Sequence, residues 1–486
     1  MPNRTRGGAG LWTVLGCGLT GGVLASALWL SPHNSSRLFL GTCAVFAVAV
    51  LLVVPVHVLP LVCLLVIFAV SDRITDFTLF PVLTPATAVL LLWLGRRWWG
   101  AAKGHRVAAL PRSRTKQAPI AISVLLVVWL CVLLVVSPTR LGLSWTVTYA
   151  TAVVATQLVP DTTEETRLLR GVLPWAGAVA AGYALLQTTF EQNWVFTPVL
   201  RLLGRTTVEQ HWAVYRSDGS FGHPLVAGLF FAVVLAFCIG RWLETGRLVF
   251  GLLAVANGLG IICTVSRGSY VAAGVGVAGV IVLALFFPHR FGRARHLLML
   301  TGCAVFAYLA VNTSSFLDRG MSQEAQASTA VREGLPYITI ATARQYHWLG
   351  SGPATSLTAA APFNSQGLRI ENSYLQLLIS VGLPGLACFV AALAALVLIA
   401  LRLRNFGAAA GLIALAVGLF GFAAIDGLRN VLVLLGLLAM MALHREEAVP
   451  PTTRRAPVHK REPAPPIPLE TVLGSRLPQP VHSSRA

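Results

Sequence analysis

The chain has 486 residues, of which 56% are hydrophobic and only 11% are charged, and its mean hydropathy is +0.73. No soluble domain of this size could bury so much apolar surface, so the composition predicts a polytopic membrane protein. The net charge of +19 does not indicate nucleic-acid binding, because the basic residues gather in short segments between apolar runs, where the lipid headgroups of the membrane are the expected partners.

Apolar runs recur along almost the whole chain. A hydrocarbon core of roughly 30 Å needs about 20 apolar residues per helix. The runs therefore predict an all-α polytopic fold with about 12–14 transmembrane helices. We place spans near residues 11–30, 38–54, 58–70, 81–95, 118–136, 145–160, 171–188, 223–240, 248–265, 268–287, 296–311, 372–401, 407–424 and 430–444.

The distribution of Lys and Arg predicts how these spans are oriented. A cytoplasmic N-terminus places 25 of the 37 Lys and Arg residues inside and 12 outside, as the positive-inside rule requires of a plasma-membrane protein. Two long segments then face outward, 191–222 and 312–370, and we expect short amphipathic helices in the second. Residues 1–444 are predicted to form the transmembrane domain. Residues 445–486, rich in Pro, Arg and Ser, are predicted to form a disordered cytoplasmic tail.

One charge stands between two apolar runs in the segment 263–276, CTVSRGSYVAAGVG. Arg267 is the only charged residue from Leu248 to Phe287. An arginine at the end of a span often reaches for headgroups, but a charge at the membrane boundary is also a candidate functional residue. Other arginines predicted on the same outer face, which has no Lys, include Arg216, Arg332, Arg344 and Arg369. Since the planar guanidinium suits phosphate oxygens, these residues predict a diphosphate site near the headgroups.

Four motifs resemble those of the O-antigen ligase and O-antigen polymerase superfamily. YRSDGSFGHPLVAGLFF resembles the family's Arg…Gly-x-Phe-x-x-Pro segment, and TVSRGSYVAAGVG resembles its Thr-x-Ser-Arg-Gly helix start. YHWLGSGP is similar to the His-Pro-x-x-Gly-x-Gly element of its large outer loop. ENSYLQLLISVGLPG fits the pattern of His or Glu before Asn, nine residues, then Gly-x-x-Gly. The motifs occupy residues 216–385 in the family's order.

The resemblance implies a membrane-embedded, GT-C-like glycosyltransferase. Such an enzyme takes a glycan from undecaprenyl diphosphate at the outer leaflet and hands it to a hydroxyl group of a glycan or lipid-linked glycan acceptor. The family's two phosphate-binding arginines fall on Arg216 and Arg267. Its third functional position, a histidine in ligases, falls on Glu371, which favours a polysaccharide polymerase or a related glycan ligase over a lipopolysaccharide-core ligase.

The predicted chemistry needs a proton acceptor and a stabilised leaving group. A carboxylate such as Glu371 can take the proton of the acceptor hydroxyl, and arginines can stabilise the departing diphosphate. No paired acidic motif occurs on the outer side, so we expect a direct displacement without a metal or a cofactor. Further residues expected to bind substrate are Arg332, Arg344, His347, Asn372 and Ser266, with Asn372 also supporting Glu371.

Three other positions are given structural roles. His223 is expected to cap a helix, and Asp426 is expected to form an interfacial ion pair with Arg429. The segment 382–385 is expected to mark a kink or close packing inside the span 372–401.

Two other classes of function remain open at this stage. A transporter or flippase of a lipid-linked precursor would also use arginines near a diphosphate, but such proteins usually place charged residues at the membrane midplane and contain repeats. Neither feature is evident here. A structural partner without enzymatic activity is the third possibility.

Overall fold

The computed structural model describes residues 50–70, 82–102, 114–159, 161–202, 214–286, 323–423 and 425–444. Within these ranges the chain is helical and contains no β-strand, which confirms the all-α fold. The predicted spans near 11–30 and 296–311, most of that near 38–54 and the tail from residue 445 lie outside the described residues. Each of the other eleven predicted spans contains a described helix.

The helices are numbered here in chain order. Those of the first half are α1 Leu59–Ala69, α2 Pro85–Ala102, α3 Arg114–Val136, α4 Arg140–Tyr149, α5 Thr163–Phe190 and α6 Phe196–Leu202. α4 continues through a π-helical turn, Ala150–Ala155, to Leu158. Those of the second half are α7 Pro224–Thr245, α8 Leu248–Thr264, α9 Arg267–Phe286, α10 Gln323–Gln345, α11 Ser356–Ala360, α12 Ser373–Ser380, α13 Gly382–Arg402, α14 Phe406–Gly418 and α15 Arg429–Leu443.

Several of these helices are suited to a lipid bilayer. Among the described residues, four helical stretches are long and apolar enough to cross a membrane: Gln117–Val136, Thr163–Phe190, Pro224–Thr245 and Gly382–Arg402. Shorter apolar helices accompany them, including α8, α14 and α15. The protein is therefore a polytopic membrane protein, as its composition predicted.

Helix α7 occupies the centre of the bundle. It is apolar on every side and almost wholly buried, as expected of a helix surrounded by other helices. It packs against α8, α9 and α14. Small residues allow the closest approaches: a Cβ on Gly240 would lie 2.4 Å from the Phe406 carbonyl oxygen, and one on Gly228 would lie 2.2 Å from the Ser269 hydroxyl. The first contact joins the end of α7 to the start of α14, and the second fixes the starts of α7 and α9 beside each other.

The two ends of the bundle differ in chemistry. We call the end that contains the α8–α9 turn the site end, and the other the opposite end. At the opposite end Arg97 pairs with buried Glu165, and Arg241 pairs with Glu244. Glu244 also accepts a hydrogen bond from the Gly407 amide at 2.7 Å, which joins the end of α7 to the start of α14. Arg97 and Glu165 thus join α2 to α5, and Glu244 joins α7 to α14.

The span predicted as one helix over 372–401 is divided in two. α12 ends at Ser380, and α13 begins at Gly382, which has a left-handed φ of +70°. With 21 residues α13 is about 31 Å long, which already matches the hydrocarbon core. α12 is therefore left at the site end. The long loop before it holds α10, which is 23 residues long rather than short, together with the short α11.

Candidate functional site

Arg267 is the first residue of α9, directly after a tight turn. α8 ends because Val265 adopts a left-handed φ of +49°, and its amide donates to the Ile262 carbonyl at 3.0 Å. This conformation is uncommon for a β-branched residue, so the surroundings must hold it. Ser266 precedes α9, and its hydroxyl accepts a hydrogen bond from the Ser269 hydroxyl at 2.8 Å. The turn leaves Arg267 exposed at the site end.

Arg216 lies on the other side of the same turn and is buried. Its Nε donates to the Thr264 carbonyl at 3.1 Å, and the Ser217 amide donates to the Cys263 carbonyl at 2.9 Å. Both carbonyls belong to the last turn of α8, where carbonyl groups have no partner within the helix. A cation is also favoured at a helix C-terminus. The structure thus brings Arg216 and Arg267 to one turn, the first buried and the second exposed.

A small, open cleft lies beside this turn. Residues from the starts of α7 and α9 and from the end of α14 line it: Leu225, Leu229, Ser266, Gly268, Ser269, Gly418, Gly421 and Phe422. Glycines keep two backbones close here, since a Cβ on Gly421 would lie 3.7 Å from the Gly268 Cα. Ser266 and Gly268 are the chain neighbours of Arg267, so the arginine stands at the edge of the cleft.

Glu371 lies at the site end, one residue before the N-cap of α12. We expected Asn372 to support Glu371, but its side-chain oxygen caps the helix, accepting from the Tyr374 amide at 2.9 Å and the Leu375 amide at 3.2 Å. Glu371 itself pairs with Arg332 of α10, whose Nη2 lies 3.3 Å from Oε2. Both side chains are partly exposed, so the pair is accessible from solvent.

Ser373 connects this segment to the cleft. Its hydroxyl donates to the Phe422 carbonyl at 2.6 Å, and Phe422 lines the cleft beside Arg267. The Phe422 ring lies 6.5 Å from that of His223, which caps α7 as predicted by accepting from the Leu225 amide at 3.2 Å. The starts of α7, α9 and α12 therefore meet around the end of α14.

Arg344 and His347 are exposed but lie far along α10 from the Glu371 ion pair. Twelve residues separate Arg344 from Arg332, which is about 18 Å of helix. His347 follows the helix in a left-handed conformation, with a φ of +52°. The structure therefore brings Arg332 to Glu371 but leaves Arg344 and His347 at a second position, about 18 Å or more away.

The YHWLGSGP segment packs on the break between α12 and α13. The Trp348 carbonyl accepts a hydrogen bond from the first turn of α13 at 2.9 Å. A Cβ on Gly350 would lie 2.6 Å from the Val381 carbonyl carbon, and one on Gly382 would lie 2.3 Å from the Leu349 carbonyl carbon. Only glycine fits at both positions. Two of the four motifs thus meet backbone to backbone.

Exposed charge at the site end is carried mainly by guanidinium groups. The exposed arginines among the described residues include Arg140, Arg267, Arg332, Arg344 and Arg369. Guanidinium groups bind phosphate oxygens in a bidentate manner, so this end is suited to an anionic ligand. Among the described residues, His, Cys, Asp and Glu side chains form no group of three or more that could hold a metal ion.

Comparison with known proteins bears on residues 250–390, which match the family model described as O-antigen ligase, Wzy_C. The chain is therefore similar to O-antigen ligases over these residues. The match supports the superfamily that the motifs indicated, and with it a membrane glycan-processing function of the ligase or polymerase type. A search of curated proteins found no match. The matched residues include Arg267 and Glu371 and begin after Arg216.

Asp426 follows the matched residues 250–390 in sequence and does not form the expected pair with Arg429. Its Oδ2 accepts from the Ser356 amide at 3.1 Å and the Ser380 hydroxyl at 2.7 Å, whereas Arg429 donates to the Ser144 hydroxyl at 2.8 Å. Burial raises the pKa of the Asp426 carboxyl, because its charged form loses hydration. Asp426 thus ties the loop before α15 to α11 and α12.

Two polar residues that contact the loop after Arg216 were not predicted from the sequence. Gln187 of α5 is fully buried, and Asn193 follows α5; both contact the loop after Arg216. A polar residue inside an apolar run is the signal that marks Gln187. Its partners lie about thirty residues further along the chain, so the sequence pattern could not identify them.

Proposed function

We propose that this protein is a glycosyltransferase. It moves a glycan from undecaprenyl diphosphate to a hydroxyl group of a glycan or lipid-linked glycan acceptor, as a polysaccharide polymerase or a glycan ligase. The observation that carries the proposal is the ion pair of Glu371 with Arg332 at the same end as Arg267 and its cleft. A proton acceptor and fixed cations for a leaving diphosphate are the groups that this transfer needs.

Arg267 supplies the first contact for the diphosphate. A cation at the first position of a helix opposes the helix macrodipole, at a cost of about 0.3–1 kcal/mol. An anion bound at the start of α9 would be attracted both by the helix N-terminus and by the guanidinium group, which reverses that cost. Ser266, at the edge of the cleft, offers a hydroxyl beside the same anion. Arg216 lies beneath and stabilises the charge that grows as the diphosphate leaves.

Glu371 acts as the base. The described contact with Arg332 uses Oε2, which orients the carboxylate and leaves Oε1 to accept a proton. The acceptor oxygen attacks the anomeric carbon, the bond from that carbon to the diphosphate breaks, and the hydroxyl proton passes to Glu371. Undecaprenyl diphosphate leaves with the electron pair of the broken bond. Direct displacement of this kind inverts the anomeric configuration.

Arg344 and His347 take a different part. Because they lie about 18 Å or more along α10 from Arg332, one diphosphate does not reach both positions. They suit contacts to the sugar units of an extended donor or acceptor. Asn372 contributes by capping α12, which fixes the backbone next to Glu371.

The charge asymmetry of the sequence supports an orientation with the site end outside the plasma membrane, at the leaflet from which a lipid-linked donor is used. The opposite end, with its ion pairs, then faces the cytoplasm.

A reconstituted reaction tests the proposal. Purified protein in liposomes is given an undecaprenyl diphosphate-linked glycan and an acceptor glycan, and both new glycosidic bonds and released undecaprenyl diphosphate are measured. We expect the two products in equal amounts. Movement of the intact donor across the bilayer without bond formation would identify a flippase instead. In a deletion strain, shorter surface glycans would identify a polymerase, and loss of their attachment a ligase.

A further inference from the structure

The loop that carries Arg216 is held from two sides. On one side it bonds to the last carbonyls of α8, as described above. On the other side, the fully buried Gln187 of α5 forms two hydrogen bonds with the backbone of Gly219. Its Oε1 accepts from the Gly219 amide at 2.8 Å, and its Nε2 donates to the Gly219 carbonyl at 3.3 Å. The same Oε1 also accepts from the Ser217 hydroxyl. The oxygen and the nitrogen of the Gln187 carboxamide therefore both form hydrogen bonds with the loop.

A second carboxamide extends the contact. Asp218 Oδ1 accepts from Gln187 Nε2 at 3.3 Å and from Asn193 Nδ2 at 2.8 Å. Asn193 is itself fixed, since its Oδ1 accepts from the Tyr183 hydroxyl at 2.7 Å. Burial of Tyr215 is the main cause that raises its pKa to about 12, and the negative charge of Asp218 raises it further. The side chains of α5 and of the segment after it thus form one hydrogen-bonded network with residues 217–219.

We infer that Gln187 is a positioning residue for the diphosphate site, which rests on the proposed function. It fixes residues 217–219, and this holds the adjacent Arg216 against the Thr264 carbonyl, beneath Arg267. A buried polar network that is satisfied makes its surroundings rigid, whereas one unmatched group inside it is costly. Gln187 lies outside the matched residues 250–390, so the site is completed by the part of the chain before the matched residues.

Glutamine is required because the site needs a donor and an acceptor at once. In Gln187→Glu the new carboxylate still accepts from Ser217 and the Gly219 amide, but it faces the Gly219 carbonyl and Asp218 with no proton to donate. Two hydrogen-bond acceptors that face each other in a buried site, with no donor between them, are destabilising. Adding Asp218→Asn removes the repulsion between the two carboxylates, whereas the contact of the new carboxylate with the Gly219 carbonyl stays unfavourable, so the pair of changes restores only part of the bonding pattern.

The test measures binding of farnesyl diphosphate, a soluble prenyl diphosphate, by the detergent-purified full-length protein. The variants are Gln187→Glu, Asp218→Asn, the double variant, and Gln192→Glu as a matched control. Gln192 is exposed and accepts from the Trp194 indole at 2.8 Å, which a carboxylate also does. We expect Gln187→Glu to raise the Kd at least about fivefold, from the cost of unpaired buried groups. The double variant should recover part of that loss, because the charge repulsion is removed but the Gly219 carbonyl still lacks its donor, and the control should match the wild type.

The results of this test distinguish the positioning role of Gln187 from the diphosphate site itself. If Gln187→Glu binds as the wild type does while Arg267→Lys binds weakly, the positioning role is wrong and the diphosphate site stands. A Gln187→Glu loss without recovery in the double variant, with thermal stability falling in parallel, would reduce Gln187 to a packing residue and overturn the inference. If the wild type binds no prenyl diphosphate, the proposed function fails and the inference fails with it.

Discussion

Gly382→Ala tests the backbone contact that joins two of the family motifs. At this position the backbone has a φ of +70°, which costs an alanine roughly 1–2 kcal/mol. The added Cβ would also lie 2.3 Å from the Leu349 carbonyl carbon and 2.4 Å from the Trp348 carbonyl oxygen, which is too close without a backbone shift. Such overpacking costs about 1–3 kcal/mol more. We therefore expect a loss of about 3 kcal/mol in unfolding free energy.

Two other glycines separate these effects. Gly367 has a φ of +63° but no atom within 4 Å of an added Cβ, so Gly367→Ala should show only the conformational cost. Gly274 on α9 has neither a positive φ nor a neighbour within that distance, so Gly274→Ala should be neutral or slightly stabilising. The order of stability should be Gly274→Ala, then Gly367→Ala, then Gly382→Ala.

Thermal unfolding in detergent measures this order. A thiol-reactive fluorophore, added after the exposed Cys131 has been blocked in the folded protein, reports unfolding, because Cys63 and Cys238 are fully buried until the protein unfolds. Glycan transfer should fall in Gly382→Ala, since α12 carries Glu371 at its start and the contact fixes the far end of that helix. If Gly382→Ala were no less stable than Gly367→Ala, the close backbone contact would be wrong.

Three further predictions concern charge and orientation. Arg267→Lys and Arg216→Lys should each lose most glycan transfer with normal membrane insertion, because lysine keeps the charge but not the bidentate geometry; full activity in both would reduce Arg267 to a headgroup contact. Since burial raises the folded pKa of Asp426, its contribution to stability is present at low pH and lost as pH rises through that pKa. The melting temperature of the wild type should therefore fall over this pH range, and that of Asp426→Asn should not. An equal fall in both proteins would refute this prediction. An impermeant thiol reagent on intact cells should label Ser365→Cys but not Glu164→Cys, and the reverse pattern would invert the orientation.

The sequence predicted the turn at Arg267 because a lone charge between two apolar runs is a local signal. The end of α8 and the start of α9 lie within a residue or two of the predicted positions. The break at Gly382 was not predicted as the end of a helix, because the apolar run continues through it. A signal was present: Pro384 lies in the first turn of α13, a position where proline is favoured.

Contacts between distant residues could not be predicted from one sequence. Glu371 and Arg332 are 39 positions apart, and no local pattern pairs them. The role of Asn372 could have been predicted, because an asparagine before a helix is a strong N-cap signal. The family motif, in which Asn372 follows Glu371, instead predicted that it supports Glu371. The expected ion pair of Asp426 rested on nearness in sequence, and the hydroxyl groups that contact it come from other helices.

Glu371→Gln tests the proposed reaction most directly. The change keeps the shape of the side chain and removes its capacity to accept a proton, while Asn372 still caps α12, so stability should change by no more than about 1 kcal/mol. The exposed Glu333→Gln, one residue after Arg332, is the matched control and should keep full activity. With purified protein and an undecaprenyl diphosphate-linked glycan, we predict that Glu371→Gln still binds the donor. Its rate of glycan transfer should be lower than that of the wild type by a factor of about 100 or more. Transfer at the wild-type rate by Glu371→Gln would contradict the assignment of Glu371 as the base.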